Sequence, residues 1–100
     1  MRDPTRLDVT EFEASAGAAA KLLRALSNER RLMILCQLTQ GERSVGQLQP
    51  LVGVSQSALS QHLAVLRAEQ IVAARRDAQV LRYRIIDAAA LKVVSTLAEI

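Results

Sequence analysis

The chain has 100 residues, half of them hydrophobic and 2% aromatic, which indicates a single domain with an aliphatic core. Its formal net charge of +3 is compatible with a nucleic-acid partner without requiring one. The single cysteine excludes an intramolecular disulfide. With no apolar run near the ~20 residues of a membrane span and no apolar N-terminal signal, we expect a soluble cytoplasmic protein without a membrane partner.

Residues 1–9 are polar, contain Pro4, and are predicted to form a flexible segment ahead of one folded domain over residues 10–100. A first helix is predicted from Thr10, which stands three residues before Glu13 in the spacing of a capping box. Apolar residues recur along this helix at spacings of three and four: Phe12, Ala16, Ala19, Leu23 and Leu26. They predict one apolar stripe.

Two further helices are predicted before the middle of the chain. The second runs from about Glu29 to Thr39, with Asn28 as its N-cap and Gly41 after its end, and it is apolar around most of its circumference. The third, "VGQLQPLV", follows Ser44 as N-cap. Pro50 lacks an N–H and predicts a kink or early fraying of this helix.

The fourth helix is predicted from the cap Ser55 to about Glu69, after a tight turn at Gly53. Its apolar back consists of Leu59, Leu63 and Leu66, and its exposed front carries four short polar side chains: Gln56, Ser57, Ser60 and Gln61. With the third helix it makes a helix-turn-helix pattern, in which the second helix enters the DNA major groove. Gln can bond an adenine edge and Ser a base or phosphate. The alternative is a capped helix start that is merely solvated.

The pattern changes to two short strands at residue 71. "IVAARR" (71–76) and "VLRYRII" (80–86) are separated by "DAQ", and Leu81, Tyr83 and Ile85 would share one face of the second strand. Arg75 and Arg76, near the tip of this hairpin, could reach phosphates or the minor groove. Asp87 is predicted to cap a last helix striped by Ala90, Leu91, Val94, Leu97 and Ala98. The predicted fold is mainly α with a β-hairpin wing, in the order ααααββα.

Four segments together resemble the ArsR-type winged helix-turn-helix repressors: "ALSNERRLMIL" (25–35), "SVGQL" (44–48), "SQSALSQHLAVLR" (55–67) and "RYRI" (82–85). The resemblance covers roughly residues 18–99. It implies a homodimer that binds double-stranded, pseudo-palindromic operator DNA and releases it when an inducer binds or reacts. The implied DNA-binding residues are Ser44, Gln56, Ser57, Ser60, Gln61, His62, Arg67, Arg75, Arg76 and Arg82. The implied dimer interface lies on the first and last helices, at Leu22, Leu23, Leu26, Leu91, Val94 and Leu97.

Two positions need separate interpretation. His62 lies beside the leucine back of the fourth helix, where packing or a phosphate contact is favoured over a role as a metal ligand. Gln70 stands where the family commonly has Gly. A left-handed helix stop there would cost Gln roughly 1 kcal/mol relative to Gly.

Many members of the family sense metals, but this chain lacks the donors. The region "SVGQLQ" has no Cys-x-Cys pair, and the last helix has Asp87 and Glu99 but no His. Soft-metal sites need several Cys or His donors, and the chain has one of each. We therefore expect no metal and no cofactor.

Cys36 on the second helix has two interpretations. Free Cys is commonly a small buried hydrophobe. "NERRLMILCQL" is also similar to a branch of the family that senses persulfides or oxidants through two cysteines, the first at this position. The second cysteine, near the end of that branch's last helix, is absent. A trimmed chain, a member that lost it, and a member that senses otherwise are all compatible with this. Cys36 alone could still form a sulfenic acid, persulfide or mixed disulfide.

The leading hypothesis is a sequence-specific transcriptional repressor released from its operator by a thiol-reactive signal, a reactive sulfur species or an oxidant, at Cys36. The alternatives are a winged-helix repressor with a non-thiol inducer and a winged-helix protein-interaction module without DNA binding. An enzyme is not expected, because the sequence shows no acid–base pair, phosphate loop or metal cluster and hence no catalytic residues.

Overall fold

A computed structural model of the protein describes residues 6–100 and contains five helices and three strands within them. In chain order these elements are α1 (Val9–Leu26), α2 (Glu29–Leu38), β1 (Arg43–Ser44), α3 (Val45–Val52), α4 (Gln56–Ala68), β2 (Val72–Asp77), β3 (Val80–Ile85) and α5 (Ala88–Leu97). The strands form one antiparallel sheet in the order β1-β3-β2. The predicted order ααααββα omitted β1, because two residues are too few to show strand alternation.

Helix α1 begins one residue earlier than predicted and with a different cap. The carboxylate of Asp8 accepts from the backbone N–H groups of Thr10 and Glu11, so the predicted capping box at Thr10 is wrong. Asp8 supplies a charged acceptor at the N-cap, whereas the hydroxyl of Thr10 belongs to the second residue of the helix. Helix α1 thus starts at Val9, within the segment 1–9 that was predicted to be flexible, and residues 1–5 of that segment lie outside the described part of the chain.

The starts of α2 and α3 confirm the predicted caps. Asn28 accepts from the N–H groups of Arg30 and Arg31, and Ser44 forms a reciprocal capping box with Gln47. Helix α3 continues past Pro50 to Val52, so the predicted early fraying is wrong. The proline removes one helical hydrogen bond, while burial of apolar side chains on both sides of it holds the helix.

Helices α3 and α4 form the predicted helix-turn-helix. Gly53 ends α3 in the left-handed region at φ 75°, and the Oγ atom of Ser55 caps α4 by accepting from the N–H of Ala58 at 3.1 Å. The core lies between these helices, α2, α5 and the inner face of the sheet. Its fully buried side chains are aliphatic: Ile34, Leu35, Leu48, Val52, Leu59, Leu63, Leu66, Ile71 and Val72.

Helix α4 ends in a left-handed residue, although the chain has Gln70 there instead of the Gly that this conformation favours. Gln70 has φ 58°, its N–H bonds the Arg67 carbonyl, and the N–H of Ile71 bonds the Leu66 carbonyl. These two bonds define a Schellman motif. Gln70 thus bears the conformational cost that Gly avoids, offset by the burial of Ile71.

The hairpin and the last helix match their predictions closely. Strands β2 and β3 pair antiparallel from Val72 opposite Ile85 to Asp77 opposite Val80, which leaves a two-residue turn. Tyr83 is buried on the inner face of β3, as predicted. Asp87 caps α5 by accepting from the N–H groups of Ala89 and Ala90. None of the helices within residues 6–100 is long and apolar enough to cross a membrane.

Candidate nucleic-acid interface

The exposed side of α4 presents the four polar residues that the sequence singled out. Gln56, Ser57, Ser60 and Gln61 are all exposed, and we call this set the reading edge. Within residues 6–100 only Ser57 has a side-chain hydrogen-bonding contact, between its hydroxyl and that of Ser55 at 3.4 Å. The leucines on the opposite side of α4 are fully buried. The reading edge is therefore held on a helix anchored by its buried side, and the side chains of Gln56, Ser60 and Gln61 form no hydrogen bond with another described residue.

Three other predicted DNA-binding residues lie on α4 itself or at the start of α3. Arg67 is exposed in the last turn of α4. Ser44 is half-buried, and its hydroxyl accepts from the N–H of Gln47 at 3.2 Å as the cap of α3. His62 is half-buried, with its Nδ1 atom 3.4 Å from Nη1 of Arg31. Its placement on the flank of α4 is compatible with both predicted roles, packing and a phosphate contact.

Two carboxylates hold the arginines on the outer face of the wing. The Nε atom of Arg75 lies 2.8 and 2.9 Å from the two carboxylate oxygens of Glu42, and its Nη2 atom lies 2.8 Å from Oε1. Arg82 donates to Asp77 at 3.0 Å, and Arg84 lies 4.0 Å from Glu42. Because Arg75 and Arg82 stand directly opposite each other in the sheet, these carboxylates offset the repulsion between like charges.

Arg76 stands in different surroundings from Arg75. Neighbouring residues of a strand point to opposite faces, so Arg76 shares the face of Ala74 and stands opposite Leu81. It is exposed and forms no ion pair within the described part of the chain. The side chains of Arg75 and Arg76, which are neighbours in sequence, thus lie on opposite faces of β2, and only Arg75 is paired with a carboxylate among the described residues.

Comparison with known proteins matches the sequence of this chain to bacterial regulators. Residues 28–74 match the model of the family described as bacterial regulatory protein, arsR family. The chain is 43% identical over 99 residues to the biofilm growth-associated repressor of Xylella fastidiosa, covering 97% of this chain and 87% of the relative. The chain belongs to the ArsR family of regulators.

Solved structures of related regulators share the same fold. Reduced HlyU from Vibrio cholerae superposes with a TM-score of 0.84 at 43% identity, covering 89% of this chain and 94% of that one. The repressor BigR from Xylella fastidiosa gives 0.87 at 40% identity, covering 93% and 95%. A homodimeric winged helix-turn-helix DNA-binding domain from Mycobacterium bovis gives 0.77 at 29% identity, covering 97% and 88%. The ArsR-type winged helix expected from the sequence is confirmed.

The one cysteine of this ArsR-family chain is exposed rather than buried. Cys36 is a free thiol that lines an open cleft of about 280 Å³ between α2 and α5. The other lining residues are mostly apolar: Glu29, Leu32, Met33, Val94, Leu97 and Ala98. The interpretation of Cys36 as a small buried hydrophobe is therefore wrong for this chain, because the cleft leaves its thiol open to reagents.

The predicted dimer-interface residues divide into two groups. Leu23 is 56% exposed, and Leu91 and Leu97 are each 41% exposed, while Leu22 packs partly against the core. Leu26 and Val94 are only 3% and 4% exposed. These last two side chains fill the chain's own core, because they lie on the inner side of their helices, so their assignment to an interface needs correction.

Two residues of the candidate site were missed by sequence reasoning. Glu42 precedes β1 and meets Arg75, 33 residues away in the chain. Arg31, on α2, contacts α4 at His62. No local spacing marks either contact, since both depend on the tertiary fold. The only sequence signal was the presence of unassigned charges next to predicted elements.

No group of three or more His, Cys, Asp or Glu able to hold a metal occurs among residues 6–100.

Proposed function

We propose that this protein is a transcriptional repressor that binds operator DNA as a homodimer through α4 and the wing. The observation that carries the proposal is the reading edge, whose exposed side chains lie on a helix anchored by buried leucines. Gln56 and Gln61 would bond base edges, and the two serines would bond bases or phosphates. The proposal is one of binding alone: it includes no catalytic residue, metal or cofactor, and it places the protein in the cytoplasm with the DNA.

The exposed apolar side chains of α1 and α5 support the dimer. Leu23, Leu91 and Leu97 lie outside the core, and a homodimeric relative shares the fold. A two-fold axis would present two copies of α4 to major grooves one helical turn apart. In this arrangement Arg76 supplies the main contact between the wing and a phosphate, because Arg75 and Arg82 are already paired with carboxylates.

Binding to the DNA upstream of the protein's own gene tests the proposal. Fluorescence anisotropy would compare this duplex with a scrambled duplex of equal length across a salt series. We expect a preference for the upstream DNA and a steep loss of affinity with salt. Changing both Gln56 and Gln61 to Ala should reduce the preference more than the affinity for scrambled DNA. Equal binding of both duplexes at every salt concentration would favour the protein-interaction module instead.

For the release signal, we propose modification of Cys36 by a polysulfide or peroxide. The thiol is exposed at the cleft between α2 and α5, and one similar solved structure is that of reduced HlyU. With a polysulfide, the Cys36 thiolate attacks a sulfane sulfur and forms an S–S bond. The polysulfide S–S bond breaks, and a shorter polysulfide leaves with the electron pair. The added sulfur would lie in the cleft and change the contact between α2 and α5.

A Cys36→Ser variant distinguishes this signal from a non-thiol inducer. We expect the variant to bind operator as the unmodified protein does but to stay bound after polysulfide treatment, while the unmodified protein releases. Mass spectrometry of the treated proteins would show the mass of added sulfur on Cys36 only. Release of Cys36→Ser at the same polysulfide concentration would contradict the thiol mechanism and leave the repressor assignment intact.

A further inference from the structure

Two neighbouring arginines in the first turn of α2 bond the ends of two other helices. The Nη1 atom of Arg30 donates to the carbonyl of Val52 at 3.0 Å, and the Nε atom of Arg31 donates to the carbonyl of Ala25 at 2.6 Å. These carbonyls belong to the last turns of α3 and α1, where backbone acceptors lack a partner within the helix. A guanidinium is a favourable donor at such an end, since its bonds are charge-assisted and oppose the helix dipole.

Arg31 also contacts α4, the helix with the reading edge. Its Nη1 atom lies 3.4 Å from Nδ1 of His62. A guanidinium carries only donors, so a hydrogen bond between these atoms requires the tautomer in which Nδ1 accepts and Nε2 carries the proton. His62 stands between the exposed Gln61 and the buried Leu63. One side chain therefore connects the end of α1 with the middle of α4.

We propose that Arg31 is a positioning residue for operator recognition. By bonding Ala25 and His62 at once, Arg31 fixes the direction of α4 relative to α1 and so the direction of the reading edge. In a dimer held through α1 it also fixes the separation of the two reading edges. This inference rests on the proposed recognition of DNA by α4. Arg31 acts inside the chain, so its removal should lower sequence preference without changing the number of phosphates neutralised.

The test compares Arg31→Gln with Arg24→Gln. Arg24 is exposed in the last turn of α1, and its side chain makes no hydrogen bond or ion pair with another described residue, so the second variant loses the same charge without the bridge. Dissociation constants for upstream and scrambled duplexes are measured across a salt series. We expect the ratio of the two constants to fall about tenfold in Arg31→Gln alone, the loss typical of one charge-assisted hydrogen bond, with the same salt slope in both variants.

Two results would overturn the inference while leaving the proposed function standing. An unchanged ratio in Arg31→Gln would show that the bridge does not position α4. Equal weakening on both duplexes with a shallower salt slope would show that Arg31 contacts phosphate directly. Absence of preference in the unmodified protein would instead overturn the proposed function and this inference with it.

Substitutions at His62 provide a second test if Arg31→Gln fails to fold. In His62→Asn an amide oxygen can take the place of Nδ1 and accept from Arg31, whereas in His62→Gln the amide lies nearer the position of Nε2. We expect the Asn variant to retain a larger preference for the upstream duplex than the Gln variant. An equal preference in the two variants, or a larger preference in the Gln variant, would overturn the inference. The bond between Arg31 and Nδ1 would then not determine the preference for the upstream duplex.

Discussion

Arg75 and Arg76 are neighbours in sequence but stand in different electrostatic surroundings. Arg75 bonds both carboxylate oxygens of Glu42, whereas Arg76 is exposed on the other face of β2. When a carboxylate already neutralises a guanidinium, the favourable free energy of an interaction between that guanidinium and a phosphate is smaller. Composition counts both residues as positive charge, and only the fold separates them.

Removing each of these two arginines should therefore change salt dependence differently. We expect Arg76→Ala to reduce the slope of log affinity against log salt by about 1, the value for one lost phosphate contact. Arg75→Ala should change the slope less, because it also frees Glu42. Operator titrations at four or more salt concentrations measure both slopes. A larger change in Arg75→Ala than in Arg76→Ala would contradict the assignment of the phosphate contact to Arg76.

At the scale of single residues, the N-caps of α2 to α5 could be predicted and the ion pairs could not. Asn28, Ser44, Ser55 and Asp87 act on N–H groups two or three residues ahead in the chain, so local sequence suffices to find them. The pairing of Glu42 with Arg75 spans 33 residues. It exists because β1 joins the edge of the hairpin, and a two-residue strand leaves no pattern to read.

Among the elements, α4 carries separate residues for its stability and for its proposed contact with DNA. Ser55 caps the helix through the N–H of Ala58, while Ser60 is exposed and bonds no other described residue. The same type of side chain thus has different roles five residues apart. The two roles can be tested with a matched pair of substitutions.

We expect Ser55→Ala to lower the free energy of unfolding by about 1 kcal/mol through loss of the cap. Ser60→Ala should change it by less than about 0.5 kcal/mol, as is usual for a surface position, yet weaken preference for the operator. Urea unfolding and anisotropy with the upstream and scrambled duplexes measure the two properties. Equal losses of stability in both variants would contradict this division of roles.

The helices and hairpin could be predicted to within one or two residues, because apolar periodicity and turn residues mark them. The misplaced start of α1 arose because Asp8 competes with Thr10 as a cap, and the stronger acceptor wins. The continuation of α3 through Pro50 depends on burial of Leu48 and Val52, which local propensity does not include. Tertiary packing thus accounts for the differences.

Over the whole molecule, the chain leaves apolar side chains of α1 and α5 exposed while burying others on the same helices. Leu23 is 56% exposed and Leu91 41%, whereas Leu26 is 3% exposed. Helical periodicity showed which residues were apolar, but it could not separate the side facing the chain's own core from the side proposed to face a partner. That distinction requires the packing of α1 and α5 against the other elements.

We therefore expect Leu23→Glu and Leu91→Glu to convert the proposed dimer to a monomer, since a buried unpaired charge at the interface is costly. Val80→Glu is the matched control, because Val80 is 41% exposed but lies on the wing. Sedimentation at micromolar concentration gives the mass of each variant. Retention of the dimer by both α1 and α5 variants would contradict the proposed interface.

The central claim is that two reading edges read major grooves of one operator, and methylation interference of the operator tests it most directly. Methyl groups on guanine N7 lie in the major groove and block contacts there. We predict two clusters of interfering guanines whose centres lie about 10–10.5 base pairs apart, related by a two-fold axis. Interference confined to the minor groove, or a binding affinity insensitive to guanine methylation at every position, would contradict the account.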